Sequence, residues 1–226
     1  MQRFIDILLS SIALLLLLPL LAPVCVILRL SGEGEVFYFQ ERIGMSGKAF
    51  KIVKFATMLK NSPNIGAGTV TLKNDDRVLP VGKFLRKTKV NELPQLINIL
   101  VGDMSLIGPR PLTLQTFLAY SKSIQNVIIQ VRPGLSGIGS VIFRNEEEIL
   151  SGAAASVEYY ERVIAPYKGE LERWYVEHKN FSIYFILIFV TLWSVLFPNS
   201  KLKWVLFKSL PVPPQILKSA LKYPEV

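Results

Sequence analysis

Apolar residues along this chain fall into three regimes. From Phe4 to Leu28, "FIDILLSSIALLLLLPLLAPVCVIL", they run on without a charge after Asp6. A straight helix of that length reaches roughly 36 Å at about 1.5 Å per residue, against a hydrocarbon core of about 30 Å. Pro19 and Pro23 each remove a backbone donor and favour a bend. Two readings fit: a kinked span, or a re-entrant helix that turns back and leaves on its entry side. Arg3 and Arg29, one on each flank, lean towards the second, because basic flanks prefer the cytoplasmic face. A signal peptide does not fit, since the run exceeds a typical signal core and no small-residue cleavage site precedes "LRLSGEGEVFY".

From Ser31 the pattern becomes that of a soluble domain. Val36–Phe39 and Phe50–Phe55 read as two short strands joined by a glycine-containing turn. "NSPNIGAGTVTLKNDDRVLPVG" reads as a loop. "KFLRKTKVNELPQLINIL" carries Phe84, Leu85, Val90, Leu93, Leu96, Ile97 and Leu100 at helical spacing. Pro94 suits the first turn of a second helix, with Asn91 as its N-cap and Glu92 near the positive end of its dipole. "EYYERVIAPYKGELERWYVEHKN" predicts a helix interrupted near Pro166, with His178 at a surface or membrane boundary. The third regime is the uncharged Phe181–Phe197, just under spanning length; a buried or interfacial helix suits it better than a true span. The tail "KLKWVLFKSLPVPPQILKSALK" interleaves lysines with Trp204, Leu206 and Phe207, a pattern for an anionic lipid surface or for contact with a second protomer.

Composition narrows the partners. Half of the 226 residues are hydrophobic, 19% are charged, and the formal net charge is +9. In so apolar a chain, excess Lys and Arg point to lipid headgroups and phosphate-bearing ligands rather than to nucleic acid, for which no basic helix or basic-aromatic strand is present. Cys25 is the only cysteine and His178 the only histidine, which excludes disulfides and Cys- or His-rich metal sites. Any metal is therefore a hard cation on oxygen, Mg²⁺ or Mn²⁺.

The candidate chemistry lies between Thr88 and Pro111, "TKVNELPQLINILVGDMSLIGPRP". Glu92 and Asp103 are possible metal ligands, and Arg110 a possible phosphate clamp. "VRPGLSGIGS" adds Arg132 in a loop that frees backbone N–H groups for oxyanions. Arg77 and Arg86 are further phosphate-binding candidates. "NEEEI" (Asn145 to Ile149) reads as a solvated helix start, with a metal role also open. Each of these short motifs has an ordinary structural reading too, as a turn or a cap.

Taken in order, the fragments resemble the bacterial sugar transferase family, the monotopic phosphoglycosyl transferases. The shared pieces are the proline-broken helix ending in "APVCVILRL", "QERIG" at Gln40–Gly44 and "FKIVKFATM" at Phe50–Met58. "NDDRVLPVGKFLRKTKVNELPQLINIL", "GDMSLIGPRP" and "VRPGLSG" follow. The ordered set covers about two-thirds of the chain, and order makes it far more specific than any one piece. The resemblance implies transfer of a sugar-1-phosphate from a UDP-sugar to polyprenyl phosphate, with release of UMP and with Mg²⁺. It places that reaction at the cytoplasmic face of the bacterial inner membrane, as the first membrane step of capsule, O-antigen or glycoprotein glycan assembly. It also implies a re-entrant N-terminal helix with its break at Ala22–Pro23.

This chain departs from the family where the family has its catalytic Asp-Glu pair: Asn91 stands in the Asp position, beside a retained Glu92. Ala56 stands where the family commonly has Arg. An amide forms no useful acyl phosphate, which brings the two-step route through position 91 into question. Four readings follow: another carboxylate, Glu92 or Asp103, as nucleophile; direct transfer with Asn91 orienting groups; an inactive variant that still binds donor and metal; or a non-enzymatic membrane partner. The expected fold is a mainly α, α/β monotopic membrane protein. Residues 1–30 form the re-entrant helix, 31–175 the catalytic domain and 176–226 the membrane-associated C-terminal helices, with a homodimer possible.

Overall fold

The computed structural model describes residues 1–65, 75–150 and 156–224. Part of the loop expected around Asn61–Gly82, residues 66–74, lies outside these. Along the chain run α1 (Gln2–Leu30), β1 (Phe37–Ile43), β2 (Ala49–Phe55), α2 (Pro80–Lys87), α3 (Gln95–Val101) and β3 (Ser105–Ile107). They are followed by α4 (Leu114–Leu118), α5 (Lys122–Ile128), β4 (Gly134–Ser136), α6 (Ile138–Ile142), α7 (Glu146–Ile149) and α8 (Val157–Tyr159). The last are α9 (Ala165–His178), α10 (Phe181–Leu196), α11 (Leu202–Leu206) and α12 (Gln215–Lys218). The protein is mostly helical, with two small sheets. β1 and β2 form an antiparallel hairpin in which Tyr38 faces Lys54 and Gln40 faces Ile52. β3 and β4 pair in parallel, Ser105 opposite Gly134.

α1 is continuous helix from Gln2 to Leu30, with Pro19 and Pro23 inside it. Asp6 and Ser10 are buried, whereas Phe4, Leu8, Leu15, Leu16, Leu18 and Leu20 are exposed. Burial thus takes the polar Asp6 and Ser10 near the N-terminal end and Leu21 and Leu28 further on, and leaves a long row of large apolar side chains outside, as suits a helix that could anchor in a membrane. Both ends of α1 are attached to the same domain. At the N-terminal end Arg3 donates to the carbonyls of Ile99 and Leu100, and Asp6 accepts from Ser105 Oγ and Leu106 N. At the other end Leu21 and Leu28 pack with Phe55 and Leu85.

The main core gathers around α9, whose Leu171 and Tyr175 meet Ile124 of α5, Ile138 and Ile142 of α6 and Leu187 of α10. A turn of π-helix, Tyr160–Ile164, joins α8 to α9 immediately before Pro166, at the interruption the sequence predicts. Two expectations are corrected. The two strands expected at Val36–Phe39 and Phe50–Phe55 run from Phe37 to Ile43 and from Ala49 to Phe55, and Asn91 is not a helix N-cap: it sits in a 3₁₀ turn, Val90–Glu92, while Pro94 occupies the cap of α3. The turn closes in i→i+3 bonds, Glu92 N to Lys89 O and Leu93 N to Val90 O, both 3.1 Å. The tail also differs. Trp204, Phe207, Leu210, Leu217 and Leu221 are buried in the main core, leaving Val205, Leu206, Val212 and Ile216 outside. Its apolar side chains thus have two separate destinations, protein and surroundings.

α10 repeats this division. Tyr184, Leu187 and Val190 face the core, whereas Phe181, Phe185, Phe189, Leu192 and Leu196 form an exposed stripe. Its 16 residues are too short to cross a bilayer upright. Asp6 ties α10 to α1, because its Oδ1 also accepts from Tyr184 Oη at 2.8 Å.

Candidate active site

A cavity of about 430 Å³ opens between the β1–β2 hairpin, the start of α2 and the Val90–Glu92 turn. The hairpin supplies one wall. Side chains alternate along a strand, so Tyr38, Gln40 and Arg42 share a face, and the register brings Lys54 onto it opposite Tyr38. α2 supplies another. Its first turn lies against the end of the hairpin, with Leu79 N bonded to Thr57 O and Gly82 so close that a β-carbon there would lie 2.2 Å from that same oxygen. Only glycine permits this approach, which carries Arg86 to the cavity wall. Asn91 and Glu92 come from the 3₁₀ turn, Lys89 from the left-handed residue before it, and Arg110 from the loop after β3.

Glu92 sits at the centre of the charge arrangement. Its Oε1 accepts from Lys54 Nζ at 3.2 Å and lies 3.5 Å from Arg110 Nη2. Burial resists ionisation of Glu92, but Lys54 and Arg110, with Lys89, outweigh it and hold the carboxyl well below the usual range. Burial pulls Lys54 down to about 7, against the pull of Glu92 and helped by Arg42 and Arg110. Arg42 is likewise lowered to about 10 by burial and by Arg110. Its Nη1 donates to Pro111 O at 3.0 Å and its Nη2 to Gln40 Oε1, while its buried Nε has no partner among the described residues. The cations are crowded and partly dehydrated, with Glu92 the carboxylate that bonds Lys54 and Arg110 directly. Such a site gains most from a ligand carrying several negative charges.

Asn91 is 6% exposed, and its Oδ1 is buried without a hydrogen-bond partner among the described residues. An orphaned amide oxygen beside an ionised carboxylate is a donor set for a hard cation. Glu92 and Asn91 Oδ1 are too few ligands to hold one unaided; no group of three His, Cys, Asp or Glu occurs among the described residues. Magnesium commonly takes only one or two protein oxygens and completes its shell with water and substrate phosphate, so these residues fit it.

The other residues singled out in the sequence divide clearly. Arg86 and Arg110 line the cavity. Asp103, Arg132 and Arg77 do not. Asp103 accepts from Asn98 Nδ2 at 3.3 Å beyond the end of α3, and Arg132 Nε donates to Gly102 O at 2.8 Å. Arg77 is paired with Asp75 and donates to the carbonyls of Ser62 and Ile65. Glu146 of the acidic cluster is not simply solvated: both its oxygens bond Lys168 Nζ at 2.8 Å. His178 stacks on Trp174 with ring centroids 4.9 Å apart. Ala22 and Pro23 are a correction: the break expected there is not found, and both lie within the continuous helix α1, which takes up the prolines without interruption. Sequence reasoning passed over Arg42, Lys54 and Lys89. The period-two spacing of Tyr38, Gln40 and Arg42, and a lone lysine inside the apolar run "IVKF", were the available signals.

A cavity lined by several cations with the carboxylate of Glu92 among them, beside a long apolar helix that could anchor in a membrane, suits a membrane-associated protein acting on anionic ligands. The model of the bacterial sugar transferase family matches residues 1–198, and the chain belongs to that family. It is 36% identical over 172 residues to the exopolysaccharide production protein ExoY of Rhizobium meliloti, covering 70% of this chain and 76% of that protein. It is 38% identical over 162 residues to the UDP-glucose:undecaprenyl-phosphate glucose-1-phosphate transferase of Escherichia coli, 70% of this chain but 35% of that one. With the UDP-N-acetylgalactosamine-undecaprenyl-phosphate N-acetylgalactosaminephosphotransferase of Aeromonas hydrophila it shares 36% over 200 residues, 86% of this chain and 43% of the relative. The chain thus spans about a third to two-fifths of these two longer relatives.

Proposed function

We propose that the protein transfers a sugar-1-phosphate from a UDP-sugar to polyprenyl (undecaprenyl) phosphate, releasing UMP, at the cytoplasmic face of the bacterial inner membrane. The observation that carries this reading is the set of cations around Glu92 in the cavity, in a family whose named relatives act on UDP-sugars and undecaprenyl phosphate. Arg42, Lys54 and Arg110 would grip the diphosphate, and their dehydration strengthens that grip.

Asn91 cannot serve as the attacking group, and Glu92 is held between Lys54 and Arg110. The reading therefore takes direct displacement: a phosphate oxygen of the lipid forms a bond to the sugar-bearing phosphorus as the bond from phosphorus to the UMP oxygen breaks. The lipid phosphate is already ionised, so no general base is required. Rate enhancement comes from positioning and from cations facing the charge that builds on the equatorial and leaving oxygens. Bound Mg²⁺, on Glu92 and Asn91 Oδ1, would supply further neutralisation of the diphosphate.

The membrane geometry supports the same reading. α1 turns apolar side chains outward along most of its length while both its ends hold the catalytic domain, which favours a re-entrant, monotopic insertion over passage through both leaflets. Lipid phosphate and water-soluble donor then meet in one plane.

Asn91 favours a second reading, a silent family member that binds nucleotide-sugar or lipid without turnover. Incubation with Mg²⁺, undecaprenyl phosphate and a panel of UDP-sugars separates the two. UMP release without a trapped phosphosugar adduct by mass spectrometry supports direct transfer. Binding of UDP-sugar with no UMP from any donor overturns it in favour of the silent reading.

A further inference from the structure

Behind the cavity lies a second set of buried charges that the reaction above does not use. Glu172 of α9 is 1% exposed, and its Oε1 accepts from the backbone N–H of Arg110 at 3.2 Å. Among the described residues that is the one hydrogen bond its side chain receives, since Oε2 has no partner. A neighbouring cation is committed elsewhere: Lys168, one turn earlier and 2% exposed, bonds both oxygens of Glu146 and lies over the rings of Phe143 and Tyr160. Room for Glu172 is made by Gly139 of α6, where a β-carbon would lie 2.3 Å from Oε1. A buried carboxyl with one bond is costly to keep unless that bond does something the fold needs.

The bond falls on a segment with a single backbone donor. In Pro109–Arg110–Pro111 neither proline has an N–H, so Arg110 carries the only backbone donor of the three. The carbonyls on either side are also taken, Pro109 O by Gly134 N at 2.8 Å and Pro111 O by Arg42 Nη1 at 3.0 Å. The segment is pinned from three directions, and Glu172 holds the middle. Arg110 leaves that point into the cavity and reaches Glu92.

We propose that Glu172 is a positioning residue for phosphosugar transfer, fixing the backbone of Arg110 so that its guanidinium meets the diphosphate beside Glu92. This rests on the transferase reading above. The groups that face Glu172 are Lys168 on its own helix and Arg110 from the loop; Glu146, Tyr120 and Tyr160 share the same buried cluster. Burial raises the Glu172 carboxyl to about 7. The charged acceptor, the stronger one, is therefore gained as pH rises through neutrality.

The test uses the full chain in nanodiscs and compares Glu172→Ala, Glu172→Gln, Arg110→Ala and Arg110→Ala/Glu172→Ala. Misplacing a clamp side chain costs about a hundredfold in kcat/KM, so Glu172→Ala should fall about that far. The double variant should be no worse than Arg110→Ala, because both changes remove one device. Glu172→Gln keeps an acceptor and should restore most of the rate, with a flattened pH profile between about 6 and 8. Hydrogen exchange at the Arg110 amide, measured without substrate, should speed up in Glu172→Ala and stay slow in Glu172→Gln. Should Glu172→Ala fail to fold, Gly139→Ala displaces the carboxyl instead and should give the same two effects. Unchanged Arg110 exchange, or losses that multiply in the double variant, overturns the proposal. Absence of turnover in the wild type condemns the transferase reading alone, since the exchange measurement still reports on the tether.

Discussion

At the scale of single residues, the proposed direct transfer turns on position 91. The side chain is buried at the cavity wall with a bare amide oxygen, so Asn91→Asp places an ionisable nucleophile where the family carries one. We expect Asn91→Asp to accumulate a covalent phosphosugar adduct, visible by mass spectrometry after acid quench with UDP-sugar and Mg²⁺ and absent from the wild type. Failure to form it would mean that the pocket no longer aligns that position with phosphorus. Glu172 yields a stability prediction with a definite sign. Its carboxyl is raised from 4.5 to about 7, so between those values the folded chain holds a proton that the unfolded chain has lost. Folding stability contributed by this group therefore falls as pH rises across that window and is level above it. Thermal unfolding of Glu172→Gln minus wild type, followed from pH 4.5 to 8, should show the variant gaining steadily up to about 7. A flat difference would place the ordinary carboxylate value at Glu172.

At the scale of elements, the two apolar helices depend on one carboxylate. Asp6 of α1 receives Ser105 Oγ and Leu106 N from β3 and Tyr184 Oη from α10. Asp6→Ala leaves those donors buried without an acceptor, at about 1–3 kcal/mol for each unsatisfied group. The expected result is a lower melting temperature in detergent and faster exchange in both α1 and α10; loss confined to α1 would show that α10 is held by packing alone. Much of this level was legible beforehand. The long apolar run, the hairpin and the interruption before Pro166 all follow from local pattern. Asn91's 3₁₀ turn was not, because cap and turn share the same residue preferences and only the packing of α2 and α3 chooses between them. Asp103 lies outside the cavity because α3 carries the chain away before it is reached, and Arg132, read from its Arg-Pro-Gly loop, is instead bonded to the carbonyl of Gly102 at the end of α3. Arg110 returns to the cavity only because β3 pairs with β4 and Glu172 anchors its loop, both contacts distant in sequence.

At the scale of the whole molecule, the question is how the protein meets a bilayer. The attachment of both ends of α1 to one domain predicts that residues 2 and 31 lie on the same side of the membrane. In a Cys25→Ser background, Gln2→Cys and Ser31→Cys should both react with a membrane-impermeant maleimide in inverted inner-membrane vesicles and both resist it in intact spheroplasts. Opposite reactivity of the two would establish a complete crossing. The basic charge of the chain bears on this proposal as well: lysines on the tail flank apolar side chains that point away from the core, so on a lipid surface attraction to acidic headgroups and burial of the α10 stripe would reinforce each other.

Phe55 belongs at once to the lining of the cavity and to the cluster that receives Leu21 and Leu28 of α1. The anchor is consequently also a wall support. With α1 seated in lipid as proposed, a shift of α1 would reach the hairpin bearing Lys54 through Phe55 and through Ile52, which shares a cluster with Leu14 and Leu17.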